Sequence, residues 1–553
     1  MDLSEIFTKK NIEILKLLFR ENLHMRNIAN KLKISPAKVH NSIRVFKKNN
    51  LITETKQKNK KIISLNKNNP ILSEINNLIN ESKEKAAYSE EKINVFDAIS
   101  PLDFRYYPRN EKIFHSLQPY LSETAMIKYM ARVEAALTNI LARYKICSPK
   151  HAKEIENAAK SITAEEVYKE EDILKHNVRA LANCIRRKVS DESKPFVHFT
   201  ATSHDIIATA DSLRYKEFTQ NILIDELKEL EKTLIILSLK YKETIQVGRT
   251  HGQHAVPITF GFAIAQYVSR FGSSIIKIKK AGNDLRGKIA GAVGSYNASS
   301  LFFNDPEKFE KEVLESIGLK PSPISTQVPQ HEYLLDYAHA VIEAFGILAN
   351  LSDDMRHLQR SEIAEVGEIF SEKQVGSSTM PQKRNPINFE NAKSMWKEFM
   401  PRMITLYSDQ ISEHQRDLTN SASMRFIAEI VAAFYISAGR INRTMQKLAV
   451  DETSLRRNFD LNRDFIVAEP LYILLAAHGH PDAHEAVRQL TLKSRSTKKT
   501  VKELLKNDKT LQQYLKKFNK KQLEIINNPE KYTGIAAEKT EMVCKMWKRE
   551  LKI

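Results

Sequence analysis

Glycine is scarce in this chain, at 15 of 553 residues. With Leu, Ile, Ala, Lys and Glu abundant, that composition favours long helices over sheets. Cysteine is scarcer still: Cys147, Cys184 and Cys544 are odd in number and widely spaced, so they form no disulfide framework and match no zinc pattern. They read as buried or incidental thiols. No apolar run approaches the roughly 20 residues that a membrane span requires. The opening Met1-Asp2-Leu3-Ser4-Glu5 is acidic and lacks a signal-peptide core. A soluble, cytoplasmic protein with no membrane contact is expected. No metal-ligand spacing or cofactor motif is present, so neither a metal nor a cofactor is expected.

Acidic residues are in short supply: 67 Asp and Glu face 86 Lys and Arg, a formal net charge of +19. The deficit is concentrated at the start, where residues 1–70 hold 16 basic and 5 acidic side chains. That asymmetry marks a separate module. Between Thr8 and Phe19 the residues Ile12, Ile14, Leu15, Leu17, Leu18 and Phe19 give one broad apolar face, predicting a helix. A second helix is predicted over Met25–Leu32, carrying Ile28, Ala29 and Leu32. Ser35-Pro36 then supplies an N-cap serine with proline at the first helical position, starting a third helix that runs to about Asn49. Val39, Ile43 and Phe46 would face inward, leaving Lys38, His40, Asn41, Arg44, Lys47 and Lys48 outside. Two short strands, Leu51–Thr55 and Lys61–Leu65, follow around a basic tip at 56–60. The module, residues 1–70, resembles a winged helix-turn-helix. Its third helix would enter a major groove and its wing would touch phosphates. The alternative is a docking or dimerisation piece with a solvated basic face. Residues 71–94, with a charged run around Glu81 to Glu91, read as a linker.

A chain of this length exceeds one core, and about three or four units are expected. Beyond residue 95 it reads as helix after helix, with Ile222–Lys242, Ile258–Lys280 and Tyr333–Arg360 long enough for a bundle. The run most able to do chemistry is Gly376-Ser377-Ser378-Thr379-Met380-Pro381-Gln382-Lys383-Arg384-Asn385-Pro386. A serine hydroxyl becomes a base only where a cation, hydrogen-bond donors and exclusion of water favour its alkoxide. Lys383 and Asn385 supply a cation and an amide, and the prolines restrict the backbone. An ordinary polar loop is the alternative.

This run resembles the signature loop of the fumarase/aspartase superfamily, GSSxMPxKxNP. Collinear with it stand Ser100-Pro101-Leu102-Asp103 with Arg105-Tyr106, then Lys175-His176-Asn177-Val178, Thr202-Ser203-His204-Asp205 and Gly248-Arg249-Thr250-His251-Gly252-Gln253. Gln415-Arg416-Asp417-Leu418-Thr419-Asn420-Ser421 with Arg425, and Tyr532-Thr533-Gly534, complete the series. The similarity spans roughly residues 95 to 553 and is closest to the adenylosuccinate lyases of that superfamily. It implies a mainly α fold in three helical regions: 95–205, a central long bundle at 206–455, and 456–553. It further implies a homotetramer whose active sites are shared between subunits.

The resemblance also implies the reaction, an anti elimination of fumarate from nucleotide substrates: adenylosuccinate and the succinylated aminoimidazole carboxamide ribotide of purine synthesis. Ser377 is carried over as the general base and His251 as the general acid, with Arg249 beside it tuning the acid or binding an anion. Ser378, Lys383 and Asn385 would hold the substrate carboxylate, with Asn391 nearby. His176, Asn177 and Val178 would line the site near His251. Asn177 stands where the family usually has aspartate, which would leave the histidine less basic. Thr202 and Ser203 either bind a carboxylate or cap a helix. Arg105, Tyr106, Arg416, Ser421 and Arg425 fit phosphate and carboxylate contacts, and Gln327 a substrate contact. Arg105-Tyr106 and the Gln415 segment favour a nucleotide over the substrates of other fumarate-releasing lyases. A second class of function is a nucleic-acid-binding regulator that keeps a lyase body as a ligand sensor.

Overall fold

The computed structural model describes residues 8–57, 60–72, 74–75, 99–107, 110–369, 379–380 and 382–553. The expected linker run at 81–91 and the two serines Ser377 and Ser378 lie outside the described residues. The chain divides into two compact units, Met1–Phe104 and Arg105–Ile553.

In the first unit three helices, α1 (Lys9–Leu18), α2 (Met25–Leu32) and α3 (Pro36–Lys48), form where the apolar spacing places them. Thr8 and Ser35 accept N–H hydrogen bonds as N-caps of α1 and α3. Lys33, in the left-handed region at φ 52°, ends α2. Strands β1 (Leu23–His24), β2 (Ile52–Gln57) and β3 (Lys60–Leu65) make an antiparallel sheet in the order β1-β3-β2. Val39, Ile43 and Phe46 pack with Ile14, Leu15, Ile28 and Ile63 in one core. Leu72 and Ile75 join that core, so it continues past residue 70. The hairpin is tighter than expected. Lys56 pairs with Lys61 and Gln57 with Lys60, which puts most of the basic tip into the ladder.

The second unit is helical, apart from paired short strands. Its first apolar core joins the helices from Glu123 to Phe218 and also takes in Phe303, Phe309, Val313 and Leu314. Tyr144 packs edge-on against Phe303 and Phe309, at 5.3 and 5.5 Å. The expected division gave residues 289–319 to the central bundle, but their aromatic side chains bury against this first region instead. The bundle itself is built from Ser203–Phe218, continued through a π-helical turn into Ile224–Lys240, and from Phe260–Asp284, Glu332–Leu358 and Ile427–Gln446. Adjacent members pack along their lengths. Large side chains such as Tyr215, Phe218, Tyr267, Phe345 and Phe434 fill the space between them. Among the described residues one helix, Glu332–Leu358, is long and apolar enough to cross a membrane, and 67% of its apolar window is buried inside the fold. A third apolar core, from Val467 to Ile526, closes the C-terminal region. The three cysteines are buried free thiols.

Candidate active site

The bundle carries the candidate residues at two ends. At one end, helix Ser203–Phe218 begins with Thr202 as N-cap, and Asp205 takes the Thr202 N–H at 2.8 Å. Asp205 and Lys288 are both fully buried and paired, and the same carboxylate accepts N–H bonds from Ala290 and Gly291. Lys288 in turn donates to the Gly291 carbonyl at 2.7 Å. A fully buried ion pair is retained only when its other hydrogen bonds are filled. Here it pins the 288–291 turn to the helix start that presents Thr202 and Ser203. Capping and substrate contact are therefore both open to these residues, which are half-buried. Next to them, His204 is held below its ordinary pKa by burial, then by the charges of Lys288 and Arg416.

Arg416 lies in the same neighbourhood. Its backbone is left-handed at φ 111°, and its Nη1 donates to the Asp409 carbonyl at 3.0 Å. Its Nε and Nη2 are buried with no hydrogen-bond partner among the described residues. A guanidinium with two buried unfilled donors is prepared for an oxyanion. Gln327 joins this group through its N–H, which donates to the Gln415 carbonyl at 3.1 Å. Gly294 makes the arrangement possible: at φ +77° it lies so close that a Cβ would come 1.9 Å from the Ser325 carbonyl oxygen. Ser421 and Arg425 are exposed, with Arg425 close enough to act on the Tyr168 hydroxyl.

At the other end, strands Ile245–Thr250 and Gln253–Thr259 pair with Thr250 opposite Gln253. That leaves a two-residue turn, His251-Gly252. Both have positive φ, 54° and 72°, as a hairpin turn of the I′ type requires. Glycine adopts this freely and histidine does not, so the imidazole is held out, exposed, at a strained tip. Arg249 has a different role from the one expected of it. It is bound by both nitrogens to the fully buried Glu365, at 2.6 and 3.2 Å, and so anchors the hairpin instead of tuning His251. Gln246 and Asn458 fill the remaining positions on that carboxylate.

Three residues further on, Glu368 grips the far side of the signature loop. Its carboxylate accepts the N–H groups of Asn388 and Phe389 at 2.9 and 3.1 Å and the Asn388 amide at 2.7 Å, capping helix Ile387–Phe399. Gln359 bridges the two sides, accepting from the Glu368 N–H and donating to the Arg384 carbonyl, both at 3.1 Å. Lys383 and Asn385 thus sit on a turn tied at its foot. Asn391, one turn along the same helix, donates to the Tyr106 hydroxyl at 3.1 Å, and Arg105 beside Tyr106 is exposed.

His176 caps helix Asn177–Arg187, its Nδ1 accepting the Arg179 N–H at 3.2 Å. That bond requires an unprotonated Nδ1. Asn177 is turned to its own neighbour, accepting the Val178 N–H at 2.7 Å. Val178, expected to line the site, is fully buried in the first apolar core, because it is on the inward face of the helix that His176 caps. Sequence reasoning missed Lys288, Gly294, Glu365 and Glu368. Only the two glutamates carry a signal, as acidic residues shortly before the loop.

The comparisons with known proteins show the family. A family model described as Lyase matches residues 105–400, and one described as Adenylosuccinate lyase C-terminal matches 412–533. The chain is 33% identical over 460 residues to a curated adenylosuccinate lyase of Archaeoglobus fulgidus, covering 82% of this chain and 99% of the relative. It is 33% identical to that of Methanocaldococcus jannaschii, covering 82% and 97%. Among solved structures, a fumarate lyase from Mesorhizobium sp. BNC1 superposes with a TM-score of 0.68 at 21% identity, over 78% of this chain and 97% of that one. A 3-carboxy-cis,cis-muconate lactonizing enzyme from Pseudomonas putida gives 0.69 at 22%, over 79% and 98%. The fold is thus that of the fumarase/aspartase superfamily, and by sequence the chain belongs to the adenylosuccinate lyase family.

Proposed function

We propose that this carbon–nitrogen lyase eliminates fumarate from adenylosuccinate, leaving AMP, and from the succinylated aminoimidazole carboxamide ribotide. Ser377 takes the proton from the carbon beside the substrate carboxylate. Ser378, Lys383 and Asn385 hold that carboxylate as charge builds on it, the carbon–nitrogen bond breaks, and His251 returns a proton to the departing nitrogen. The imidazole then takes a proton back from water. Arg105, Tyr106, Arg416, Ser421 and Arg425 take the phosphate and carboxylates. Such purine chemistry belongs in the cytoplasm. The observation that carries this reading is the likeness to curated adenylosuccinate lyases over 99% of a relative's length, with every acid, base and anion-holding residue type intact. Purified protein mixed with adenylosuccinate should change the purine absorbance. Turnover of argininosuccinate in its place would reject the reading.

The active unit is a homotetramer with shared sites. Two observations support it. His251 precedes helix Phe260–Asp284 and Lys288 follows it; at 25 residues the helix is about 37 Å long, more than one nucleotide can bridge. Large apolar side chains also stand exposed on the bundle, among them Ile236 at 65% and Ile276 at 43%. A second copy covers such faces.

The N-terminal unit acts as a winged helix on nucleic acid. Lys38, His40, Asn41, Arg44, Lys47 and Lys48 are all exposed on α3. Lys47 also bonds Glu54, at 3.1 Å. Duplex DNA should bind the full chain with an affinity that falls steeply as salt rises; salt-independent binding would favour a protein-docking module. A regulator with an idle lyase body is the weaker reading, because a sensor has no use for the base and acid.

A further inference from the structure

We propose that Arg440 is a positioning residue that links reading of the nucleotide phosphate to placement of the Lys383–Asn385 turn; this rests on the reading of the site given above. Arg440 projects from helix Ile427–Gln446 between Tyr106 and Asn388. On one side its guanidinium lies 6.0 Å from the centre of the Tyr106 ring. On the other its Nη1 donates to Asn388 Oδ1 at 3.2 Å. The amide of Asn388 then donates to Glu368, which holds the start of helix Ile387–Phe399.

Tyr106 meets that helix a second time, through the bond from Asn391 to its hydroxyl. Asn388 and Asn391 are three residues apart and so face the same way. Both supports of Tyr106 therefore converge on the first turns of the helix that follows Lys383 and Asn385. Only a planar cation can rest against a ring and donate sideways to an amide at once; lysine offers a point charge and no flat face. Arg440 Nε is buried with no hydrogen-bond partner among the described residues. A phosphate on Arg105-Tyr106 would load the relay and fix the turn that receives the developing carboxylate charge. Binding energy far from the broken bond then appears as turnover instead of affinity.

The experiment compares adenylosuccinate with its nucleoside form lacking the phosphate, using the full chain. Wild-type kcat should be higher on the nucleotide. Arg440→Gln and Arg440→Lys should each lower kcat on the nucleotide about 10-fold, the scale of a small misplacement at a site. The nucleotide KM should stay nearly constant and kcat on the nucleoside should be unchanged. Asn388→Ala, which cuts the relay while keeping the cation, should do the same and carries the test if Arg440→Gln fails to fold. An equal fall on both substrates, a change in KM alone, or a wild type that gains no kcat from the phosphate overturns the relay. A wild type inert on both substrates sinks the functional reading, and the relay with it.

Discussion

At the scale of single residues, several charges are buried for structural reasons and set how stability responds to pH. Glu231 is fully buried and neither carboxyl oxygen has a hydrogen-bond partner among the described residues. Burial pushes its pKa up to about 9. The folded protein therefore holds a proton there that the unfolded chain has released, and stability falls as pH rises from the ordinary carboxyl range towards 9. Glu231→Gln, neutral at every pH, should raise the thermal midpoint by a few degrees at pH 8 and hardly at all at pH 4.5. An equal shift at both values would count against a buried protonated acid. His198 works through a partner. Burial alone would lower its pKa, but the charge and hydrogen bond of the buried Glu134 outweigh this and raise it. Its contribution is full below the ordinary histidine range and fades as pH rises through the folded value. His204, lowered by burial and cations, runs the other way and loses its contribution as the solution turns acid.

At the scale of elements, the site depends on turns that aim side chains. Gly294 is such a point, since its backbone nearly touches Ser325 and its φ is +77°. Gly294→Ala should push the Ser325–Gln327 segment away and cost about 1–2 kcal/mol from the left-handed backbone alone. Turnover should fall more than stability does; urea titration beside an activity assay separates the two effects. The helices of this unit were legible beforehand because their apolar spacing and caps are local. Ser35-Pro36 starts α3, and the Thr202 motif starts Ser203–Phe218. The role of Arg249 was not legible, because its partner Glu365 is 116 residues away. Val178 shows the limit of a motif, which records which residues travel together while helical periodicity turns the side chain of one of them inward.

At the scale of the whole molecule, the candidate residues divide between the two ends of a long bundle, and the proposed sharing of sites between subunits can be tested in solution. Ser377→Ala and His251→Ala should each lose on the order of 100-fold or more in turnover, the range expected of acid and base groups. Mixed and allowed to exchange subunits, the His251→Ala protein and an equally inactive Arg416→Ala protein should regain part of the activity, because some sites then draw an intact histidine and an intact arginine from different chains. No recovery after proven exchange would mean that each chain supplies both groups to its own site.

The order of motifs by itself determined the family and pointed to the residue types proposed for its chemistry. Those rest on side-chain reactivity and on short-range rules of helix and turn, which are written within a few residues of each group. Tertiary structure decided which charges are spent on the fold: Lys288 is consumed by Asp205 and Arg249 by Glu365, while Arg416 has two buried donors with no hydrogen-bond partner among the described residues. It also decided that His251 projects from a strained tip and that Glu368 ties the foot of the loop. Pairing joins Asp205 to Lys288 across 83 residues and Arg249 to Glu365 across 116, and no local pattern encodes such distances.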